Sequence, residues 1–190
     1  MTSETTTAKK ILLLSTSPRL DGNTEMLADA FADGAKAAGH SCEKLVLPAK
    51  KIDYCIGCMA CENGSGKCVL RDDGNAILDK MAKADVLVFA TPIYFYSVSG
   101  QLKTLLDRTN PLYEAGEYNF RQVYLFTASA DDDEKAGDCA VEVIKGWIRC
   151  FDKAVLSGAL NAGGAGEKGS VATVKEGEYL KRAYAMGEKV

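Results

Sequence analysis

The chain has 190 residues, of which 47% are hydrophobic, and a formal net charge of −3. This size and apolar content favour one well-filled core and exclude wholesale disorder, and the acidic balance argues against binding to nucleic acid or to an anionic membrane. No apolar run reaches the roughly 20 residues that span a bilayer, and the start of the chain lacks the pattern of a signal peptide, so we expect a cytoplasmic protein.

The first predicted strand and the turn after it carry the main functional signal. Four apolar residues at 11–14 predict a strand buried on both faces, and the hydroxyl-rich turn that follows closes at Asn23 and Thr24, either of which can cap a helix over 25–38. A helix N-terminus with convergent hydroxyls and backbone N–H groups forms an anion site. Arg19 adds a guanidinium whose geometry suits a phosphate. The alternative is an ordinary strand-to-helix turn, but the spacing favours a phosphate site.

Glycine-rich nucleotide loops do not explain this turn. No Gly-x-Gly-x-x-Gly follows the strand, which excludes a dinucleotide fingerprint. The later run Gly64-Ser65-Gly66-Lys67 resembles a nucleotide-binding loop, but Cys61 stands where its first glycine should be, and Cys68 replaces the Ser or Thr that would bind magnesium. A hydroxyl-rich loop instead suits a monophosphate, which needs many donors and no space for a pyrophosphate.

The remaining elements alternate between strands and helices. Further strands are predicted at 41–47, 85–90, 123–127 and 154–159, and further helices on the apolar faces of 77–81 and 102–106, from the acidic run 131–134 to about residue 151, and over 176–189. Residues 1–8 are expected to be a disordered tail, residues 49–72 a cysteine-rich insertion without regular structure, 111–121 a loop, and 161–169 a glycine-rich loop without an assigned ligand. The pattern predicts an α/β fold: a single domain over 9–190 with a doubly wound five-stranded parallel sheet in the order 2-1-3-4-5 and helices on both faces.

Several conspicuous residues are assigned structural roles. His40, the only histidine, is expected to be exposed at a helix end, and a single histidine nearly excludes Ser-His-Asp hydrolysis and histidine-rich zinc sites. The acidic run is interpreted as helix N-terminal charge rather than metal ligands. Trp147 is assigned to the core or an interface, and Cys42, Cys139 and Cys150 to packing.

In the predicted topology, the loops after strands one, three and four meet over one cleft. The loop over 91–97 carries aromatic and apolar residues, and Pro92 can hold its backbone N–H groups toward a ligand. A flat heteroaromatic ring fits such a wall, whereas the alternative is a hydrophobic plug under the next helix. A phosphate site and a planar ring on one doubly wound sheet suggest FMN.

Seven cysteines in a reducing compartment indicate metal binding or redox chemistry. Cys55, Cys58 and Cys61 form a Cys-x-x-Cys-x-x-Cys run, and Cys68 follows in the same irregular segment. Structural zinc usually uses two separated Cys-x-x-Cys pairs, whereas a tight triple run with a further cysteine resembles the ligand pattern of a [4Fe–4S] cluster. The gap before Cys68 and the lack of a following proline depart from the ferredoxin pattern. A cluster is favoured, with empty or oxidised thiols and zinc as alternatives.

Three stretches resemble the NADPH-dependent FMN reductase family of flavodoxin-like proteins. They are Ile-Leu-Leu-Leu-Ser-Thr-Ser-Pro-Arg with the later Asn-Thr pair, Ala-Thr-Pro-Ile-Tyr-Phe-Tyr-Ser, and Gly-Gln-Leu-Lys with the later Asp-Arg pair. The cysteine run is similar to that of the iron–sulfur flavoprotein branch. The resemblance covers about residues 9–160 and implies a flavodoxin-like fold and an FMN-dependent oxidoreductase.

The resemblance also implies a set of site residues. The phosphate would be held by Ser15, Ser17, Arg19, Asn23 and Thr24, and the flavin ring would be lined by Pro92, Ile93, Tyr94, Phe95, Ala128 and Ser129. No catalytic side chain is expected, because the flavin carries the chemistry. Relatives usually form homodimers or homotetramers that complete the flavin site from a neighbour.

The redox partners and the wider function stay open. NAD(P)H, ferredoxin, quinones and small aromatic compounds are all candidate electron donors or acceptors. The expected function is an FMN oxidoreductase or electron-transfer flavoprotein that relays electrons between a [4Fe–4S] cluster and FMN. The alternatives are an NAD(P)H-dependent FMN or quinone reductase without a cluster, a non-catalytic metal-binding module, and a phosphate-ligand binding protein without redox function.

Overall fold

The computed structural model describes residues 7–64 and 66–190; most of the predicted N-terminal tail lies outside these residues. The strands are β1 (Lys10–Ser15), β2 (Ser41–Val46), β3 (Val86–Pro92), β4 (Gln122–Ala128) and β5 (Val155–Ala162). They form one sheet in the order β2-β1-β3-β4-β5, and every neighbouring pair is parallel. The predicted fold class and strand order are therefore confirmed.

Seven α-helices lie in the described part of the chain. They are α1 (Asn23–Ala37), α2 (Ala60–Asn63), α3 (Gly74–Lys83), α4 (Gly100–Asp107), α5 (Asn110–Ala115), α6 (Asp138–Ile148) and α7 (Glu178–Gly187). The predictions of irregular chain over 49–72 and 111–121 are wrong at α2 and α5. Both helices are too short to show a hydrophobic period, and Pro111 at the start of α5 is compatible with a first helical turn.

Alternate residues of the central strands face two separate layers of helices. Ile11 and Leu13 of β1 belong to a core shared with α1 and α7, whereas Leu12 and Leu14 belong to a core shared with α3, α4 and α6. Because both faces of β1 are buried, its sequence is an uninterrupted run of apolar residues over 11–14. Among the described residues, no helix has the length and apolar character needed to cross a bilayer.

Trp147 is partly buried and packs against the second of these cores, in agreement with its assignment to the core or an interface. Its ring packs against those of Phe89, Phe120 and Phe151, with centroid distances of 5.5, 5.8 and 4.6 Å. The indole Nε1 donates a hydrogen bond to Thr109 Oγ1 at 2.9 Å. This bond satisfies the only polar group of the indole side chain.

Two structural assignments made from the sequence are wrong. His40 is buried, with 7% of its surface exposed, and its Nδ1 accepts a hydrogen bond from the Lys9 backbone N–H at 3.2 Å. Burial, and secondarily the charge of Lys9, lowers the pKa of His40. Cys139 and Cys150 are exposed and pack into neither core, while Cys42 is half-buried. A position within or beside a helix does not by itself say which face a side chain takes.

Candidate flavin site and cysteine segment

The turn between β1 and α1 buries hydroxyl groups beside the start of α1. Ser15, Ser17 and Thr24 are all buried, and Ser15 Oγ and Thr24 Oγ1 have no hydrogen-bond partner among the described residues. Leaving a buried polar group unpaired costs about 1–3 kcal/mol, so native proteins rarely do so. Two such hydroxyls in one turn indicate a site for an external hydrogen-bonding group.

The first turn of α1 is open to an anion. Gly22 occupies the N-cap position, so the prediction that Asn23 or Thr24 caps the helix is wrong, and no side chain of the described residues caps this turn. A Cβ at Gly22 would lie 2.8 Å from the carbonyl oxygen of Arg19, which explains the need for glycine in so tight a turn. The first N–H groups of the helix are thus available to a bound phosphate.

The negative charge of Glu25, in the same turn of α1, is compensated by Lys44 and by a backbone N–H group. Glu25 is buried, and its Oε1 lies 2.8 Å from Lys44 Nζ. Its Oε2 accepts a hydrogen bond from the Asp21 backbone N–H at 2.9 Å. This pairing limits the repulsion that Glu25 would exert on an anion at the start of α1.

The loop that follows β5 closes over this turn, although the sequence assigned it no ligand. Asn23 Nδ2 donates to the carbonyl oxygens of Ala165 and Glu167, both at 2.7 Å, and Arg19 Nη1 donates to the carbonyl oxygen of Gly166 at 3.0 Å. The Asn23 side chain therefore fastens the loop to α1. Its contact with a phosphate stays a prediction.

A cavity of about 240 Å³ lies between this turn and the loops after β3, β4 and β5. Most of the predicted flavin-binding residues line it: Ser17, Arg19, Asn23, Thr24, Pro92, Ile93, Tyr94 and Ala128. The other predicted flavin-binding residues, Ser15, Phe95 and Ser129, do not line this cavity. Lys168 also lines the cavity and adds a cation that sequence reasoning missed, because only the folded loop brings it to this place.

The loop after β3 forms a strained aromatic turn at the edge of the cavity. Tyr94 and Ser97 exchange two backbone hydrogen bonds of 3.1 Å, and between them Phe95 and Tyr96 have φ values of 50° and 60°. A turn with two left-handed residues normally takes Asn-Gly, and each non-glycine residue there costs roughly 1–3 kcal/mol. Phe95 is fully exposed, while Tyr96 Oη donates to Asp131 Oδ2 at 2.9 Å. Strain of this kind is typical of functional loops.

The remaining predicted ring contact, Ser129, is occupied by interactions within the protein. Its Oγ donates to the carbonyl oxygen of Asp131 at 3.0 Å and accepts a hydrogen bond from Asn161 Nδ2 at 3.1 Å. The residue is buried and supports the loop after β4. Its contact with a flavin ring stays a prediction.

The cysteine segment leaves the sheet after β2 and returns at α3. Backbone N–H groups of Lys51 and Asp53 donate to the carboxylates of Asp73 and Asp72, both at 2.8 Å, and so pin the two ends of the segment together. All seven cysteines of the chain are free thiols; Cys55 and Cys58 are exposed, and Cys61 and Cys68 are half-buried. In residues 7–64 and 66–190, no three His, Cys, Asp or Glu side chains are gathered closely enough to hold a metal ion. The donor chemistry suits a cluster, but the four sulfurs do not converge.

A buried ion pair fastens this segment to the end of α4. Arg108 Nη1 lies 2.7 Å from Asp72 Oδ2, both side chains are fully buried, and Nη2 donates to Oδ1 at 3.0 Å. Arg108 Nη1 also donates to the carbonyl oxygen of Asp53 at 2.8 Å. The hydrogen bond from Arg108 is the largest cause that holds the pKa of Asp72 far below its usual value.

Comparison with known proteins gives matches in both sequence and fold. The profile of the NADPH-dependent FMN reductase family matches residues 9–166. An iron-sulfur flavoprotein of Methanocaldococcus jannaschii is 41% identical over 103 residues, which cover 54% of this chain and 53% of that protein. An iron-sulfur flavoprotein of Archaeoglobus fulgidus is 31% identical over 179 residues, 92% of this chain and 75% of that protein. An NAD(P)H:quinone oxidoreductase from Methanothermobacter marburgensis shares the fold, with a TM-score of 0.71 and 18% identity over 96% of each chain. The match thus spans about half of the first relative and three quarters of the second.

Proposed function

Because the chain belongs to the NADPH-dependent FMN reductase family, we propose that it is an FMN-dependent oxidoreductase whose flavin occupies the cavity beside α1. The observation that carries this proposal is the buried, unpartnered hydroxyl of Thr24, which lines this cavity at an uncapped helix N-terminus. Phosphate oxygens are strong acceptors that would satisfy such a hydroxyl and the exposed N–H groups together.

The residues around the cavity divide into two groups by chemistry. Ser17, Arg19 and Thr24 line the cavity and would bind the phosphate, and Asn23 would hold the overlying loop. Ser15, which does not line the cavity, stays a proposed phosphate contact. Pro92, Ile93, Tyr94 and Ala128 form the apolar wall that suits a flavin ring, and Phe95 and Ser129 stay proposed contacts beside it. Bound FMN supplies hydride acceptance and the release of one or two electrons. The protein's part is to bind, orient and shield the ring, with NAD(P)H as the proposed electron donor.

We further propose that Cys55, Cys58, Cys61 and Cys68 hold a [4Fe–4S] cluster that exchanges electrons with FMN. Two similar proteins carry the name iron-sulfur flavoprotein, and the four thiols are free in a segment that is pinned at both ends. Ferredoxin, quinones and small aromatic compounds are the proposed classes of redox partner.

A homodimer or homotetramer is the proposed assembly. Exposed aromatic side chains cluster in the loop after β3 and in the cysteine segment, where Tyr94, Phe95, Tyr96 and Tyr54 each expose 44% or more of their surface. Contiguous exposed apolar groups usually mark an interaction surface. A second copy of the chain would cover them beside the flavin.

A second candidate function is an NAD(P)H-dependent FMN or quinone reductase without a cluster. The observation that favours it is that the described cysteine sulfurs do not converge on a common point. Both candidates share the flavin site and differ only in the cysteine segment.

One preparation separates the two. Protein purified without oxygen should show a flavin spectrum and about four iron and four sulfide ions per chain. Cys58→Ser should abolish the iron and sulfide and leave FMN bound, whereas Cys139→Ser, at an exposed cysteine outside the segment, should retain both. Flavin without iron in the wild type would establish the second candidate. Zinc alone, or iron that survives Cys58→Ser, would rule out the cluster assignment.

A further inference from the structure

The loop over 163–171, which we call the closing loop, is fastened to the first residue of α1. Asn23 is 8% exposed, and its Nδ2 donates to the carbonyl oxygens of Ala165 and Glu167, at 2.7 Å each. Its Oδ1 accepts a hydrogen bond from the Val171 backbone N–H at 3.2 Å. One buried side chain therefore holds the closing loop at three backbone positions.

The closing loop is also packed against the loop after β4. The Gly164 backbone N–H donates to the carbonyl oxygen of Asp131 at 2.8 Å. A Cβ at Gly163 would lie 2.6 Å from the carbonyl oxygen of Asp132, so the two backbones approach too closely for a side chain between them. The closing loop is thus held from two directions and forms a fixed wall of the cavity beside α1.

The closing loop places a second cation at the end of the cavity where the phosphate is proposed to bind. Lys168 and Arg19 both line the cavity, and in residues 7–64 and 66–190 neither forms an ion pair with a carboxylate. Two cations suit a phosphate monoester, whose charge at pH 7 is about −1.5 to −2. A phosphate that continues into a further ester bond carries only about one negative charge.

We propose that the closing loop selects FMN over FAD, with Lys168 as a ligand of the terminal phosphate and Asn23 as the positioning residue that holds the loop across this end of the cavity. This inference rests on the proposed flavin site. FAD continues from the same phosphate through a pyrophosphate to adenosine, so it needs space where the closing loop lies. To admit FAD, the loop must leave α1, and each hydrogen bond of Asn23 that is lost is worth about 2- to 12-fold in this equilibrium.

The test measures the affinities of the flavin-free protein for FMN, FAD and riboflavin by calorimetric titration. Wild-type protein should bind FMN at least about tenfold more tightly than FAD, because the loss of three hydrogen bonds amounts to at least that factor. Asn23→Ala frees the closing loop and should lower this FMN-to-FAD affinity ratio about fivefold or more.

Asn75→Ala is the matched control for Asn23→Ala. Asn75 lies in the first turn of α3, where its Nδ2 donates to the Cys68 carbonyl oxygen at 2.8 Å and its Oδ1 accepts from the Cys68 backbone N–H at 3.1 Å. It therefore fastens a loop to a helix in the same way, but outside the cavity beside α1. Asn75→Ala should leave the FMN-to-FAD affinity ratio unchanged.

A second variant, Lys168→Gln, changes an exposed side chain, so it decides the question if Asn23→Ala fails to fold. Loss of this exposed cation should weaken FMN binding about fivefold, weaken FAD binding by a smaller factor, and leave riboflavin binding unchanged. Lys181→Gln is the control, at an exposed lysine of α7 outside the cavity, and should leave all three affinities unchanged.

Three results would overturn this inference and leave the proposed flavin site intact, provided that FMN still binds. They are equal affinities of wild-type protein for FMN and FAD, an unchanged FMN-to-FAD ratio in Asn23→Ala, and an unchanged FMN affinity in Lys168→Gln. Wild-type protein that binds no flavin at micromolar concentration would overturn the flavin site and this inference together.

Discussion

Replacing Thr24 with valine tests two effects of its buried hydroxyl: on the stability of the flavin-free protein and on the affinity for FMN. Thr24 is 2% exposed, and its Oγ1 has no partner among the described residues. Valine keeps the branched shape and removes a group whose unpaired burial costs about 1–3 kcal/mol. The flavin-free protein should therefore become more stable, by about 1 kcal/mol. The same change removes a hydrogen bond to a charged phosphate, worth about 1.5–3 kcal/mol, so FMN affinity should fall about 10- to 100-fold.

Urea unfolding of the flavin-free protein and quenching of flavin fluorescence measure the two effects. Riboflavin lacks the phosphate, so its affinity should not change in Thr24→Val. Thr104→Val is the matched control, because Thr104 Oγ1 donates to the Gly100 carbonyl oxygen at 2.8 Å on α4, outside the cavity. Unchanged FMN affinity, or an equal loss for FMN and riboflavin, would refute the assignment of Thr24 to the phosphate.

Three other substitutions test separate parts of the account. Arg19→Ala removes a charge-assisted donor, so FMN affinity should fall about tenfold while riboflavin affinity stays constant. Titration with both flavins measures the two affinities, and an equal loss for FMN and riboflavin would show that Arg19 does not contact the phosphate. Tyr94→Ala removes aromatic area from the proposed ring wall, so it should weaken the binding of FMN and of riboflavin by similar factors. If both affinities and the flavin potential were unchanged, Tyr94 would be a surface residue without contact to the ring. The pKa of His40 is lowered in the folded state, so the unfolded chain takes up the proton first and stability should decline as pH falls below about 6.5. Unfolding at pH 7.5 and 5.5 should show a weaker decline in His40→Gln, and an equal decline would contradict this origin.

The sheet could be predicted because its signal is local. Each central strand is a short apolar run bounded by turn residues, and the alternation with helices fixes a parallel order. The short helices α2 and α5 escaped prediction because four or six residues carry no readable period. The burial of His40 could not be predicted because it depends on the tertiary fold, which brings His40 beside Lys9, 31 positions earlier in the chain.

The distinction between local sequence signals and contacts between distant residues also explains which parts of the candidate site could be predicted. The turn from Ser15 to Thr24 and the loop at Pro92 could be found because strand ends and turn chemistry mark them in sequence. The closing loop could not, because its place depends on hydrogen bonds between Asn23 and residues more than a hundred positions later. Lys168 and the Arg108–Asp72 pair were missed for that reason. No sequence pattern links Arg108 to the cysteine segment.

Titration of flavin-free wild-type protein with FMN and with riboflavin tests the central claim most directly. We predict that FMN binds at micromolar concentration or below, and that riboflavin binds at least tenfold more weakly because it lacks the phosphate that the turn between β1 and α1 would hold. Failure of FMN to bind at micromolar concentration, or equal affinity for the two flavins, would contradict it.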